Sequence, residues 1–221
     1  MRKQLSLVSA LTLVLVVAIS GTARADTTLG STVQPSGSSA HPCEGAVIAQ
    51  IASASATPYT VPSPGTITAW QLNTINATPG ATATLVVLRS TDGFDYTVVG
   101  ADSHSLPNPL PGVASFTVSS PIAVNGGEIL ALYDSDTNYT CYFQAGSTPI
   151  TDALIALESP STPSAGQSLT TDDYSGAGYT LNLAATLTPP STPAQPKKKC
   201  KKKKKRSAES AKKKCKKKKK R

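Results

Sequence analysis

Tyr179-Thr180-Leu181-Asn182-Leu183-Ala184-Ala185-Thr186-Leu187 alternates with a period of two. Tyr179, Leu181, Leu183, Ala185 and Leu187 fall on one face, and Thr180, Asn182, Ala184 and Thr186 on the other. That is the pattern of a half-buried β-strand, because successive side chains of an extended chain point to opposite sides. Ala114, Phe116 and Val118 alternate against Ser115 and Thr117 in the same way. Further strands are expected over Ile67–Leu72, Thr84–Arg89, Tyr96–Val99, Ile129–Tyr133 and Thr140–Phe143. Ala153–Glu158 reads as a short strand or one helical turn. Asp92-Gly93 and Asn125-Gly126-Gly127 are turn signals between such runs. Pro62, Pro64, Pro79, Pro107, Pro109 and Pro111 mark loops, since proline cannot donate to a sheet ladder. No long stretch carries helical periodicity with caps. The expectation is an all-β domain, a two-layer antiparallel β-sandwich of jelly-roll-like type, with a disordered basic C-terminal tail.

Outward from the strands, the 221 residues divide by composition. Arg2 and Lys3 precede an apolar run from Leu5 to Ile19, then Ala23-Arg24-Ala25. This is the order of a secretory signal peptide over 1–25, with cleavage after Ala25. The run is shorter than the ~20 residues of a membrane span. Residues 26–42, rich in Ser, Thr, Gly and Pro, read as a flexible arm. The sandwich is expected over 43–188 and a stiff Pro-rich linker over 189–196. The product would be secreted, without an integral membrane segment after cleavage.

Charge is segregated. Residues 26–196 hold twelve acids and one base, Arg89, for −11; residues 197–221 hold sixteen Lys, two Arg and Glu209, for +17. With +3 from 1–25 these make the overall +9. Lys197-Lys198-Lys199-Cys200-Lys201-Lys202-Lys203-Lys204-Lys205-Arg206 repeats residue for residue as Lys212-Lys213-Lys214-Cys215-Lys216-Lys217-Lys218-Lys219-Lys220-Arg221. No apolar side chain there supports a core. A string this cationic binds polyanions by releasing their counterions. Lysine in place of arginine argues for diffuse attraction, not bidentate recognition. The acceptors that fit are an anionic wall polymer, an anionic membrane surface and extracellular nucleic acid, and an exported chain meets the wall first.

Cys43 opens the domain and Cys141 lies in an aromatic strand, so Cys43–Cys141 is the expected disulfide; Cys200 and Cys215 sit in the separate basic segment. Neighbouring lysines favour their thiolates. They pair with each other, pair between chains, or stay free.

Candidate sites on the domain are sparse. Asp134-Ser135-Asp136-Thr137-Asn138 begins like a calcium loop, but Tyr139 stands where glycine is needed and Ala145 where the closing Glu belongs. Asp134, Asp136 and Asn138 are therefore weak metal candidates. No cofactor is expected, with calcium the one to test. The two histidines, His41 and His104, are both expected in loops containing Pro and Ser, and His104 is two residues from Asp102. Neither G-x-S-x-G nor H-E-x-x-H is present. Trp70 reads as core, as do Tyr139, Tyr142 and Phe143 around Cys141, although exposed members of that group would suit carbohydrate stacking. Asn76-Ala77-Thr78 and Asn138-Tyr139-Thr140 match the glycosylation sequon. No catalytic residue is expected.

Thr66-Ile67-Thr68-Ala69-Trp70, Tyr96-Thr97-Val98-Val99-Gly100, Pro121 to Leu132, Cys141 and Tyr179 to Ala184, in this order, resemble a group of uncharacterised secreted β-sandwich domains of high-GC Gram-positive bacteria. Lys-rich tails with interspersed Cys are similar to those of exported proteins of such bacteria. The resemblance covers about 60–190 and the tail, and implies fold and export without any functional residue. Many such domains continue into acidic Asp-rich repeats, where this chain turns basic. The expected function is that of a non-enzymatic cell-surface protein held by its tail to anionic envelope polymers. A carbohydrate-binding module, calcium-assisted or not, and a secreted hydrolase built on Asp102 and His104 or on paired acids are the alternatives. Oligomeric state is left open.

Overall fold

The computed structural model describes residues 25–53, 57–144, 152–159 and 161–191. The chain divides between Ser191 and Thr192 into two units, and the first carries all of the described residues. The expected signal segment up to residue 24 and the whole basic tail, with Cys200 and Cys215, lie outside them.

The described structure is all-β and antiparallel. Its strands are β1 (Thr27–Ser31), β2 (Ser39–His41), β3 (Ala46–Ala52), β4 (Gly65–Asn73), β5 (Thr82–Ser90), β6 (Asp95–Ser105), β7 (Val113–Val124), β8 (Ile129–Tyr133), β9 (Tyr142–Gln144), β10 (Ala153–Glu158), β11 (Ser168–Ala177), β12 (Tyr179–Leu181) and β13 (Leu183–Thr188). One layer is the four-stranded sheet β1-β13-β4-β7. The other closes on itself as the ring β10-β11-β6-β5-β8-β3, and β12-β9-β2 form a small third sheet.

The ring follows from strands that are apolar on both faces. Leu85-Val86-Val87-Leu88 and Leu130-Ala131-Leu132 are buried without interruption. Their alternate residues enter two separate clusters. Val47, Ala49, Val86, Leu88, Val98, Ala131, Ile155 and Leu157 pack together, filling the ring. Ile48, Leu85, Val87, Leu130, Leu132 and Leu154 pack with Ile67, Trp70, Leu72, Ile122 and Leu187 between the ring and the four-stranded sheet. A register shift between Val87 and Leu88 changes the phase of β6. Beyond it Ala101 packs on the inner cluster, while Gly100 lies against Ile122 of the facing sheet. A Cβ at Gly100 would lie 2.7 Å from Ile122 Cγ2, so only glycine allows this approach.

Several expectations need correction. The arm 26–42 is not loose: β1 pairs with β13 from Thr27↔Leu187 to Ser31↔Leu183, and β2 pairs with β9. An edge strand needs few apolar residues, here Leu29, fully buried. Gly30 is next to it at φ 69°, where a Cβ would collide with the Leu183 carbonyl. The run from Tyr179 to Leu187 is two strands broken at Asn182, which is wholly buried instead of facing solvent. Its Oδ1 accepts Asn73 N–H (3.0 Å), and its Nδ2 donates to Asn73 O and Thr140 O (both 2.8 Å). The amide replaces sheet hydrogen bonds where the strand leaves one sheet for another. Asn125-Gly126-Gly127 is a turn, but it carries the chain from β7 in one sheet to β8 in the ring. Asp92-Gly93 does close a hairpin, β5–β6. Ala153–Glu158 is a strand, and the expected strand over Thr140–Phe143 starts only at Tyr142.

Cys43 and Cys141 form a disulfide across 98 residues of chain. Gln50, 1% exposed, joins the ring to the small sheet: Nε2 donates to Tyr179 O (3.1 Å) and Oε1 accepts Leu181 N–H (2.8 Å). Arg89 holds the buried Glu128 through Nε (3.1 Å) and a terminal nitrogen (2.6 Å).

Candidate functional site

The only described histidine–carboxylate pair is the one at Asp102 and His104. Neither histidine is in a loop as expected: His41 ends β2, which pairs with β9, and His104 lies in β6, which pairs with β5 out to Ser105. Spaced by two on β6, Asp102 and His104 both face the four-stranded sheet. Asp102, 5% exposed, accepts Trp70 Nε1–H at 2.8 Å and Ser119 N–H at 2.9 Å. Ser119 lies where the β4–β7 ladder is interrupted between Ile67↔Ile122 and Ala69↔Thr117, so the carboxylate closes a bulge that leaves this N–H without a ladder partner. His104 Nε2 lies 2.9 Å from Asp102 Oδ2 but off the line of a hydrogen bond. The contact is therefore one of proximity, not a hydrogen bond. The imidazole stacks on Phe116 (centroids 4.9 Å, 13° between planes), and Phe116 tilts against Trp70 at 4.5 Å. This arrangement ties β6 to β4 and β7. Asp102 is committed to donors from two other strands, and Trp70, as expected, is core.

Asp134, the first weak metal candidate, is 1% exposed. Its oxygens accept the N–H of Asn138 (2.7 Å), the Asn138 side-chain amide (3.1 Å) and the N–H of Asp136 (3.3 Å). Asp136 is exposed, and Asn138 points its Nδ2 donor, not its oxygen, at Asp134. Asp, Asn and their backbone neighbours thus build a turn for reasons of chain geometry. Among the described residues no group of three His, Cys, Asp or Glu is placed to hold a metal ion. The same hydrogen bond occupies the Asn138 sequon, whereas Asn76 stands exposed at φ 57°.

The aromatics around the disulfide separate by exposure. Tyr139 (1%) and Phe143 (0%) are core, and burial raises the Tyr139 hydroxyl pKa well above its ordinary value. Tyr142 is half-buried. It stacks on His41 at 5.2 Å and 8°, and meets Tyr179 edge-on at 5.5 Å. Desolvation, then the charges of Tyr179 and Glu44, raise the Tyr142 pKa. Ser39 Oγ lies 3.0 Å from His41 Nε2. His41, Tyr142 and Tyr179 thus make a partly open aromatic row on β2-β9-β12. In the sequence Tyr142 was legible as an aromatic beside Cys141, but its partners arrive from strands about 100 and 37 residues away and left no local signal.

No family model matches the chain, and no curated protein or solved structure matches it.

Proposed function

We propose that this is an exported, non-enzymatic cell-surface protein whose β-domain is held to an anionic envelope by its polycationic tail. The observation that carries the reading is the division of charge, −11 over residues 26–196 against +17 over 197–221, with a ten-residue basic string written twice. At ~1 kcal/mol per basic residue near an anionic surface, engaging one third of the eighteen contributes about 6 kcal/mol. That corresponds to a dissociation constant of tens of micromolar, sufficient for retention where acceptor sites are dense. The Cys43–Cys141 disulfide is in keeping with an oxidising compartment. Among the described residues no helix is long and apolar enough to cross a membrane. The test is elution of the protein from washed envelopes by rising salt, with wall polymer, anionic vesicles and DNA as competitors. Retention that high salt leaves untouched would overturn the reading.

A second reading, a carbohydrate-binding module, is favoured by the partly open row His41, Tyr142 and Tyr179. A glycan screen with and without chelator tests it. Sugar binding abolished by Tyr142→Ala supports it, and an empty screen removes it.

A further inference from the structure

We propose that the domain associates with a second copy of itself through β7, the two strands pairing antiparallel about a two-fold axis at Ser115, so that the four-stranded sheets of both copies become one continuous sheet. The starting point is a free ladder edge. β7 ends its sheet and pairs with β4 alone. Asn182 takes both the N–H and the C=O of Asn73, so both point toward β13. Asn73 is opposite Val113. In an antiparallel pair the backbone groups of opposite residues either face each other or face away together. Val113, Ser115 and Thr117 therefore turn N–H and C=O away from β4, and among the described residues none of these groups has a partner. Their side chains are exposed.

Free edges are commonly guarded by charges, prolines or bulges. Residues 113–117 carry none of these. Pro109 and Pro111 lie before them, and the bulge with Pro121 lies after. The apolar rim at this edge is also left half open. Phe116 is half-buried, and the His104 side chain stacked on it keeps 26% exposure. A further strand at this edge would cover both.

Charge argues that the further strand is a second copy. Across a two-fold axis each charge near the axis meets its own image, so two acidic domains join only along a neutral seam. Residues 26–196 carry −11, yet no charged side chain occurs from 105 to 127. The edge also complements itself. Centred on Ser115, the pairing sets Val113 against Thr117 of the other copy and Phe116 against Ala114. Every outward N–H then meets an outward C=O. One step further out, Pro111 would oppose Ser119: the first has no N–H, and the second turns its N–H inward to Asp102. The ladder thus ends alike on both sides, which fixes the register. The opposite edge of the sheet is tied down, since Gly30 N–H donates to Pro58 O (3.0 Å) and Ser31 N–H to the Tyr59 hydroxyl (3.1 Å). Head-to-tail growth from β7 to β1 is blocked, and the assembly closes as a dimer. A seam this short falls below the ~1,000 Å² of a stable interface, so the dimer is weak and forms where copies are concentrated.

The test uses the full secreted chain carrying Cys200→Ser and Cys215→Ser, which removes disulfides between tails. Sedimentation equilibrium is run in about 1 M salt, where the ~3 Å screening length silences attraction between tail and domain. A monomer–dimer equilibrium without larger species is expected up to about 1 mM protein. Ser115→Pro removes an outward N–H and no bond to β4, a position where an edge strand tolerates proline. It should weaken the dimer at least ~10-fold through the hydrogen bonds lost in both copies, with an unchanged circular dichroism spectrum. Thr117→Pro serves if the first variant does not fold. Cross-linking reads the register in the unbroken strand. Ser115→Cys should oxidise to a covalent dimer, because its two copies face each other. Val113→Cys alone should not, its two copies lying about 14 Å apart along the seam, but it should when mixed with Thr117→Cys. A chain that stays monomeric up to about 1 mM overturns the proposal. So do species that grow beyond a dimer, a folded proline variant that dimerises like the parent, or Val113→Cys cross-linking as readily as Ser115→Cys.

Discussion

Replacing Asn182 by leucine keeps the branched outline and the number of side-chain heavy atoms and removes every polar atom from a site with no exposure to solvent. The change leaves three backbone groups without partners: Asn73 N–H, Asn73 C=O and Thr140 C=O. An unsatisfied buried polar group costs ~1–3 kcal/mol. Two of the three are carbonyls with a second lone pair, so the low half of that range applies, for a loss of about 3–6 kcal/mol. A domain of this kind holds only ~5–15 kcal/mol in all. Trp70, the one tryptophan and fully buried, reports unfolding by fluorescence. With a urea m-value of about 2 kcal/mol/M, the midpoint should fall by ~1.5–3 M at constant m. Asn182→Asp keeps the acceptor for Asn73 N–H but turns a carboxylate oxygen toward two carbonyls, so it should recover stability on acidification, when the new carboxyl regains a donor. An Asn182→Leu variant within ~0.5 kcal/mol of the parent would refute the reasoning, because a loss that small is within the scatter of ordinary surface substitutions.

Three further outcomes follow from single contacts. Cys43→Ala with Cys141→Ala should lower stability by ~2–5 kcal/mol without changing the folded circular dichroism spectrum; thermal unfolding with and without the pair measures it. Asp102→Asn should cost ~1–3 kcal/mol, because the amide serves at most part of what Trp70 Nε1 and Ser119 N–H take from the carboxylate; a shifted Trp70 indole N–H resonance is the local signature. Backbone N–H groups of Asp95 and Phe94 hold the Asp92 carboxyl below its ordinary pKa of 3.8. A depressed folded pKa gives stability present above the unfolded value and lost as pH falls through the folded one. Asp92 should therefore titrate below the exposed carboxyls in a carbon-detected titration, and the hairpin should loosen only at pH below about 4.

Strand content was legible where one face is polar. Ala114, Phe116 and Val118 announce β7, and Asp92-Gly93 announces its hairpin. Ring closure was not, although its trace was present in Leu85 to Leu88 and Leu130 to Leu132, apolar on both faces. Such runs say that a strand is covered twice without saying by what. β1 was missed because an edge strand with one fully buried leucine reads like a Ser/Thr/Gly arm. Asn182 broke a perfect alternation because its amide bonds partners about 109 and 42 residues away. Of the candidate site, the sequence offered Asp102 and His104 as a pair but ended the strand at Val99 and put His104 in a loop; β6 runs on to Ser105, and Trp70, Phe116 and Ser119 reach the pair only through sheet register. The cationic repeats, in contrast, are read wholly from sequence, since charge needs no fold to act.

The central claim concerns those repeats. The direct measurement compares the secreted chain with a full-length variant whose eighteen tail Lys and Arg are all replaced by Gln, each bound to washed cell envelopes across a salt titration. The account predicts that only the parent binds, with log affinity falling steeply and linearly in log salt as released counterions require. Equal binding by both chains, with little response to salt, would contradict it and move the binding site to the β-domain itself.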